Sequence, residues 1–316
     1  MTAVRTVRVG TRGSALARTQ TGHVVAALQA AIGSDLVVEI VPIVTEGDVN
    51  RAALAQIGGT GVFVTALRTA LHEDRIDVAV HSFKDLPTAP APGLLVAAVP
   101  VREDPRDALV ARDGLTLGEL PEGSVVATGS PRRAAQLRAL GLGLVVEPIR
   151  GNVDTRLAAV SGGRVDAVVL AAAGLRRLGR LAEATELLDP TQMLPAPAQG
   201  ALAVETRSDD DVVARWVAAL DDPASRAAVA AERSVLQALE AGCSAPVGAL
   251  ADVAAGSPDD GEPDELYLRA SVTAVDGSDA VRLSATGPLT DAEGIGRRLA
   301  AELVDLGADT MMGSST

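Results

Sequence analysis

Residues 76–88 read IDVAVHSFKDLPT. An apolar run interrupted by Asp77 passes into His81, Ser82, Lys84 and Asp85, then stops at Pro87. A short Val-rich run closed by turn formers is the pattern of a buried strand. Polar side chains just past such a strand lie where open α/β sheets carry their ligand crevice. Lys84 is the only lysine, and the other 27 basic residues are arginine. A compact ammonium on a flexible stem does different work from a planar guanidinium.

The same texture extends in both directions. RTVRVGT, LVVEIVPIVT and LLVAAVP read as strands, with helical patterns LARTQTGHVVAALQA and FVTALRTALHED among them. After VPVREDPRD the alternation resumes. ALVA, SVVATGS, LVVEPIR and DAVVLAAAG read as strands, and PRRAAQLRAL, VDTRLAAV and LRRLG as helices. Strands alternating with helices predict parallel α/β sheets. The expected fold class is therefore α/β: two similar-sized domains around a cleft, with a smaller α+β third domain. Domain 1 is placed at residues 1–100 and 200–219, because GALAVETR reads as a strand crossing back after the proline-rich LPAPAQG. Domain 2 is placed at 101–199 and domain 3 at 220–316. In domain 3, DPASRAAVAAERSVLQALEAG predicts a helix with Asp222 as N-cap, Pro223 at N1 and Gly242 near its end. Three antiparallel strands and a closing helix, DAEGIGRRLAAELVDLG, follow.

The net charge of −13 is unevenly placed: residues 1–180 balance at +3 and residues 181–316 at −16. Four aromatic residues give no stacking platform for single-stranded nucleic acid. Three histidines and one cysteine do not supply a typical structural zinc site, and no metal is expected. No apolar stretch suits a membrane span. One cysteine excludes an internal disulfide, and the N-terminus reads as a strand rather than a signal peptide. A cytoplasmic protein is expected, with neither nucleic acid nor membrane as partner.

The strand ends collect anion-binding groups. Arg12 and Ser14 stand where one strand turns into a helix. Thr128, Ser130, Arg132 and Arg133 stand at another, with Ser130 a good N-cap and Pro131 suited to N1. Arg150, Arg156, Arg176 and Arg177 follow further strands. Converging guanidinium groups suit carboxylates or phosphates. Asp85 would be a carboxylate among these cations, kept ionised by them and able to stabilise a developing positive charge. Cys243, at a glycine-marked turn after the long helix, reads as a small hydrophobe, a nucleophile or a covalent anchor. Phe63 and Phe83 are core residues by default, or a cover for a flat ring. The glycine-ended stretch 43–61 is expected to be a mobile lid.

Taken together, the ordered blocks GTRGSALA, VPIVTEGDV, GGTGVFV, DVAVHSFKDLPT, REDPRDALV, GSPRRAAQL, IRGNVDTRL, AGLRRLG, LPAPAQGALAVE and AERSVLQALEAGCSAPVG resemble the porphobilinogen deaminase (hydroxymethylbilane synthase) family over nearly the whole chain. The resemblance implies two lobes like those of periplasmic binding proteins and a third domain. It implies a transferase of tetrapyrrole biosynthesis that joins porphobilinogen units with loss of ammonia. The chain grows on a dipyrromethane cofactor held by a thioether, which falls here on Cys243. By the same resemblance Asp85 contacts pyrrole N–H groups and stabilises the cationic species formed as ammonia leaves. Cofactor carboxylates fall to Ser82, Lys84, Thr128, Ser130, Arg132 and Arg133. Arg12, Ser14, Arg150, Arg156 and Arg177 fall on positions for substrate binding, proton delivery or elongation, and Phe63 on an aromatic near the incoming pyrrole. A monomer is expected. Thr60, Gly129, Pro131, Ala241 and Ala245 depart from the family's common pattern. The rival reading is a non-catalytic anion-binding module of the periplasmic-binding-protein type. A Cys–His hydrolase comes third, since it would need His81 to reach Cys243.

Overall fold

The structure is a computed structural model describing residues 5–33, 36–43, 59–242, 245–256 and 264–312, the side chains of 5 and 59–63 apart. The chain divides into two compact units, Met1–Arg102 with Ala201–Arg226, and Glu103–Gly200 with Ala227–Thr316.

The first unit is built on a five-stranded sheet. Its strands are β1 (Arg5–Thr11), β2 (Leu36–Pro42), β3 (Val78–Ser82), β4 (Leu94–Ala98) and a strand from late in the chain, β10 (Leu202–Arg207). The order is β2-β1-β3-β10-β4. β1 runs parallel to β2 and β3, whereas β10 runs antiparallel to both its neighbours. One face packs Val7, Val9, Val78 and Val204 against Val24 and Leu28 of the helix Ala15–Ile32 and Val213 and Val217 of the helix Asp211–Ala218. The opposite face packs Ala79 with Leu67 and Leu71 of the helix Gly59–His72. Cover on both faces is why Val78, Ala79 and Val80 of β3 form an apolar run rather than an alternating one.

The second unit repeats the arrangement. β5 (Asp107–Ala111), β6 (Val125–Thr128), β7 (Val145–Pro148), β8 (Ala167–Ala171) and β9 (Glu186–Leu187) lie in the order β7-β6-β8-β5-β9. β6 is parallel to β7 and β8, and β5 is antiparallel to β8 and β9. The same unit holds a three-stranded antiparallel sheet: β11 (Val247–Ala254), β12 (Glu265–Thr273) and β13 (Ala280–Pro288). One face of it is covered by the helices Pro223–Ala238 and Ala292–Asp305, through Val235, Leu236, Ile295 and Leu299.

The mixed α/β class and the late strand's return to the first sheet agree with the sequence reading. The all-parallel expectation does not. β10 and β5 each enter a sheet directly after the chain passes from one unit to the other, and they run against the strands beside them. Three local readings also change. The helix Asp211–Ala218 was not expected. The strand expected over 166–174 ends at Ala171, and Ala172–Arg177 is helical, as alanine favours. The long helix is capped as expected, with Ser225 N–H donating to Asp222 Oδ1 at 2.7 Å. It stops at Ala238, however, where Glu240 takes the left-handed conformation (φ 50°) and Ala241 N–H donates to the Leu236 carbonyl, a Schellman-type closure without Gly242.

Candidate active site

In the first sheet β1 and β3 are parallel, so their carboxyl ends share one edge. Arg12 and Ser14 follow β1. Ser14 caps the helix Ala15–Ile32, accepting from Ala17 N–H at 3.3 Å. Ser82 ends β3, and Phe83–Asp85 form one turn of 3-10 helix, closed by Leu86 N–H donating to the Phe83 carbonyl at 3.1 Å. Phe83 itself is buried. A pocket at this edge is lined by Arg12, Gln20, Val64, His81, Ser82 and Asp85, among others. Gln20, six residues past the cap, donates from Nε2 to Ser82 Oγ at 3.0 Å and so ties the helix that follows β1 to the end of β3.

Behind that pocket lies a charged group the sequence reading missed. His81 on β3 and Glu205 on β10 occupy one face, because Ala203 pairs with His81 and Glu205 with Ala79. His81 Nε2 is 3.3 Å from Glu205 Oε2, and both side chains are almost fully buried. Arg68 grips Glu205 from the helix Gly59–His72, its Nη2 at 2.9 Å from Oε1 and its Nε at 3.1 Å from Oε2. Burial pushes the Glu205 carboxyl up, but His81 and Arg68 outweigh it and hold the group below its ordinary value.

In the second sheet Thr128 ends β6, Pro148 ends β7 and Ala171 ends β8, all at one edge. Past them stand Ser130, Arg132 and Arg133, then Arg150, then Arg176 and Arg177. Ser130 is the N-cap of the helix Pro131–Ala139, with Pro131 at N1, as expected. Ser130 N–H donates to Thr128 Oγ1 at 3.2 Å. Space at Gly129 is scarce: a Cβ there would lie 2.7 Å from the Ile149 carbonyl.

Arg132 and Arg133 are not solvated strand-end cations. They are 3% and 5% exposed, and both face Asp107. Asp107 opens β5, and because β5 runs antiparallel, its first residue pairs with the last residue of β8 at the same edge. Arg133 Nη2 donates to Asp107 Oδ1 at 2.7 Å, and Gln199 Nε2 donates to the same oxygen at 2.7 Å. Arg132 Nη2 lies 2.8 Å from Oδ2 and its Nη1 donates to the Leu194 carbonyl. Burial pushes the Asp107 carboxyl up, yet Arg132 and Arg133 overcome that and bring it down to about 2. Among the described residues, two guanidinium groups thus share one carboxylate, one positive charge more than it offsets.

Arg156 and Arg177 are half-buried, and burial lowers both below the ordinary arginine value, Arg133 adding to the effect at Arg156. Arg156 Nε donates to the Gly151 carbonyl at 3.0 Å and Arg177 Nη2 to the Gly200 carbonyl at 2.7 Å. Neither is within ion-pair distance of a carboxylate among the described residues. Arg150 is exposed, and Arg176 pairs with Glu103 at 2.9 Å. The structure therefore brings Arg12, Ser14, Ser82, Lys84 and Asp85 to one edge, and Thr128, Ser130, Arg132, Arg133, Arg150 and Arg177 to the edge of another sheet. Cys243 and most of the expected lid lie outside the described residues, as does the side chain of Phe63.

Among the described residues, cations gather at the strand ends of both sheets, with Asp85 beside those of the first, an arrangement of an α/β protein whose chemistry suits an anionic molecule. Residues 7–215 match the model of the porphobilinogen deaminase dipyrromethane cofactor binding domain, and residues 226–305 match the porphobilinogen deaminase C-terminal domain. Porphobilinogen deaminase of Mycobacterium tuberculosis (strain H37Rv) is 58% identical over 97% of this chain and 98% of its own length. That of Mycobacterium avium (strain 104) is 58% identical over 97% and 96%. The chain belongs to the porphobilinogen deaminase family. Among solved structures, the methionine binding protein MetQ aligns at 12% identity and a TM-score of 0.41, over 67% of this chain and 88% of that one.

Proposed function

We propose that this chain condenses porphobilinogen units head to tail, with loss of ammonia, into the linear tetrapyrrole hydroxymethylbilane. Membership of the family supports the reaction, and the observation that carries its assignment to residues is the pocket that holds both Asp85 and Arg12. Each pyrrole carries an acetate and a propionate, so a growing chain brings many carboxylates to a protein that is acidic overall but cationic at its strand ends.

The residues present fit a dipyrromethane cofactor. Among the described residues, the Arg132–Arg133 pair carries one positive charge more than Asp107 offsets, and Arg132 Nε is buried with no hydrogen-bond acceptor. The Ser130 cap and the start of the helix Pro131–Ala139 favour an anion beside it. In this reading Cys243 anchors the cofactor by a thioether, and Ser82, Lys84, Thr128, Ser130, Arg132 and Arg133 hold its carboxylates. When bound, the cofactor supplies a nucleophilic pyrrole carbon that stays attached between steps.

Asp85 supplies negative charge where the substrate becomes cationic as its amine departs. Arg12, with Ser14 at the helix start, takes substrate carboxylate. Arg150, Arg156 and Arg177 take the carboxylates of later units, and Phe63 covers the incoming ring. Arg156 and Arg177 suit this work because burial already penalises their charge, so an added carboxylate returns what desolvation removed. Arg132 and Arg133 have a second duty, because Asp107 locks their direction before any ligand arrives. The protein acts as a cytoplasmic monomer in this reading. Among the described residues no helix is long and apolar enough to cross a membrane.

The test is the intact mass of denatured protein beside a Cys243→Ser variant. An excess equal to two condensed pyrrole units, absent from the variant, is expected. A bare mass that stays bare after incubation with porphobilinogen would favour a non-catalytic anion-binding module.

A further inference from the structure

The arrangement behind the Asp85 pocket has no role in the reaction as set out above. Two ionisable side chains, Arg68 and His81, meet the carboxylate of a third, Glu205. Glu205 is 2% exposed, and Arg68 already balances its charge through both carboxylate oxygens. Charge balance therefore does not require a histidine. His81 is nevertheless 5% exposed, 3.3 Å from Glu205 Oε2, and part of the lining of the pocket that holds Asp85.

The chemistry needs a group of this kind. When a pyrrole carbon forms a new bond to the carbon that ammonia leaves, the C–N bonding pair departs with the nitrogen. The attacking ring then carries the positive charge and must give up the hydrogen of that carbon as a proton to regain aromaticity. Asp85 is poorly suited to receive it. A carboxylate that stabilises a cation has to keep its charge, and one that accepts the proton gives the charge up. A neutral imidazole that accepts the proton leaves the Asp85 charge in place.

We propose that His81 is the proton acceptor of the condensation, oriented and electrostatically supported by Glu205, which Arg68 fixes in place. The C–H bond breaks, its electrons return to the ring, and the proton passes to the imidazole and then to water or to the departing ammonia. Glu205 offsets the imidazolium charge, much as a buried carboxylate supports the histidine of a catalytic triad. Arg68 holds Glu205 from one side, so the carboxylate cannot turn away from the ring. Among the described residues, Glu205 pairs with His81, Arg68 holds Glu205, Arg12 and Asp85 share the pocket lining with His81, and Lys84 lies in the turn that follows β3. This assignment rests on the condensation reading given above.

The experiment uses cofactor-loaded enzyme, with loading verified by intact mass, and the variants His81→Gln and Glu205→Gln. With three histidines in the chain, nitrogen-15 labelling of histidine allows His81 to be followed by NMR, assigned by the signals lost in His81→Gln. His81 is expected to titrate in the range of the acid limb of the wild-type rate profile. Both midpoints are expected to move to lower pH in Glu205→Gln, because removing a negative charge disfavours the imidazolium. His81→Gln is expected to lose kcat ~100-fold or more with KM little changed, and to lose the acid limb. Porphobilinogen deuterated at its free ring carbon should then show a larger isotope effect. A His81 signal that does not titrate, a Glu205→Gln profile identical to wild type, or a His81→Gln kcat within about threefold of wild type would overturn the assignment. If His81→Gln does not fold, the His81 signal is assigned by difference from His23→Gln and His72→Gln, and the titration and Glu205→Gln still decide. Wild-type enzyme that carries cofactor but does not consume porphobilinogen refutes the condensation reading itself, and His81's role with it.

Discussion

Replacing Asp85 by asparagine keeps the side chain's size and removes its charge. The Asp85→Asn variant is expected to keep its circular dichroism and melting temperature and to lose condensation activity. Near-normal turnover would remove Asp85 from the chemistry. Asp107 is a different case, since its carboxylate is fully buried between two guanidinium groups. Asp107→Asn leaves both cations without a counter-charge, which costs ~3–5 kcal/mol for a broken buried pair. A urea midpoint shifted down by that amount is the expected result, with cofactor loading also impaired because Arg132 and Arg133 lose their orientation. At this scale the sequence showed the arginines as anion-seeking but not that they already had a carboxylate. Asp107 and Arg133 are separated by 25 intervening residues, and only the antiparallel sense of β5 puts them together.

Helices in this protein begin where local chemistry says they should. Ser14, Ser130, Asn152 and Asp222 each accept from a backbone N–H at the first turn. Asp222→Ala should therefore lower stability by ~1 kcal/mol, read as a modest drop in the urea midpoint at unchanged slope. Contact between elements is harder to read. Gly296 sits inside the helix Ala292–Asp305, where alanine is normally the better residue by ~1 kcal/mol. Here a Cβ would meet Ser234 Oγ and the Ala231 carbonyl of the helix Pro223–Ala238. Gly296→Ala is expected to destabilise by ~1–3 kcal/mol through overpacking, the opposite sign to propensity. A raised melting temperature would show that the two helices can move apart at little cost.

Over the whole molecule, two buried aspartates make acid the vulnerable side. Burial raises both Asp77 and Asp107, but Arg8 and Arg207 bring the first, and Arg132 and Arg133 the second, down to about 2. A carboxyl whose folded value lies below its unfolded value of about 3.9 contributes stability above that value. The contribution is lost as pH falls from there toward 2. Each such group is worth on the order of 2 kcal/mol at neutral pH. The urea midpoint is expected to be flat from about pH 7 to 5 and to fall steeply below about pH 4. A midpoint unchanged at pH 3 would mean that these carboxylates keep no special protonation in the folded chain.

The sequence by itself determined the alternation of strands and helices, the N-caps Ser130 and Asp222, the return of the late strand to the first sheet, and the strand ends at which Arg12, Asp85, Ser130 and Arg150 stand. These follow from periodicity and turn chemistry, which act over a few residues. It did not determine the sense of β5 and β10, and with that sense it lost Asp107 and Glu205. Only the tertiary structure could place Glu205 against His81 and Arg68, 124 and 137 positions away. Strand direction depends on how distant segments pair, and a buried charge is stabilised by whatever that pairing brings beside it.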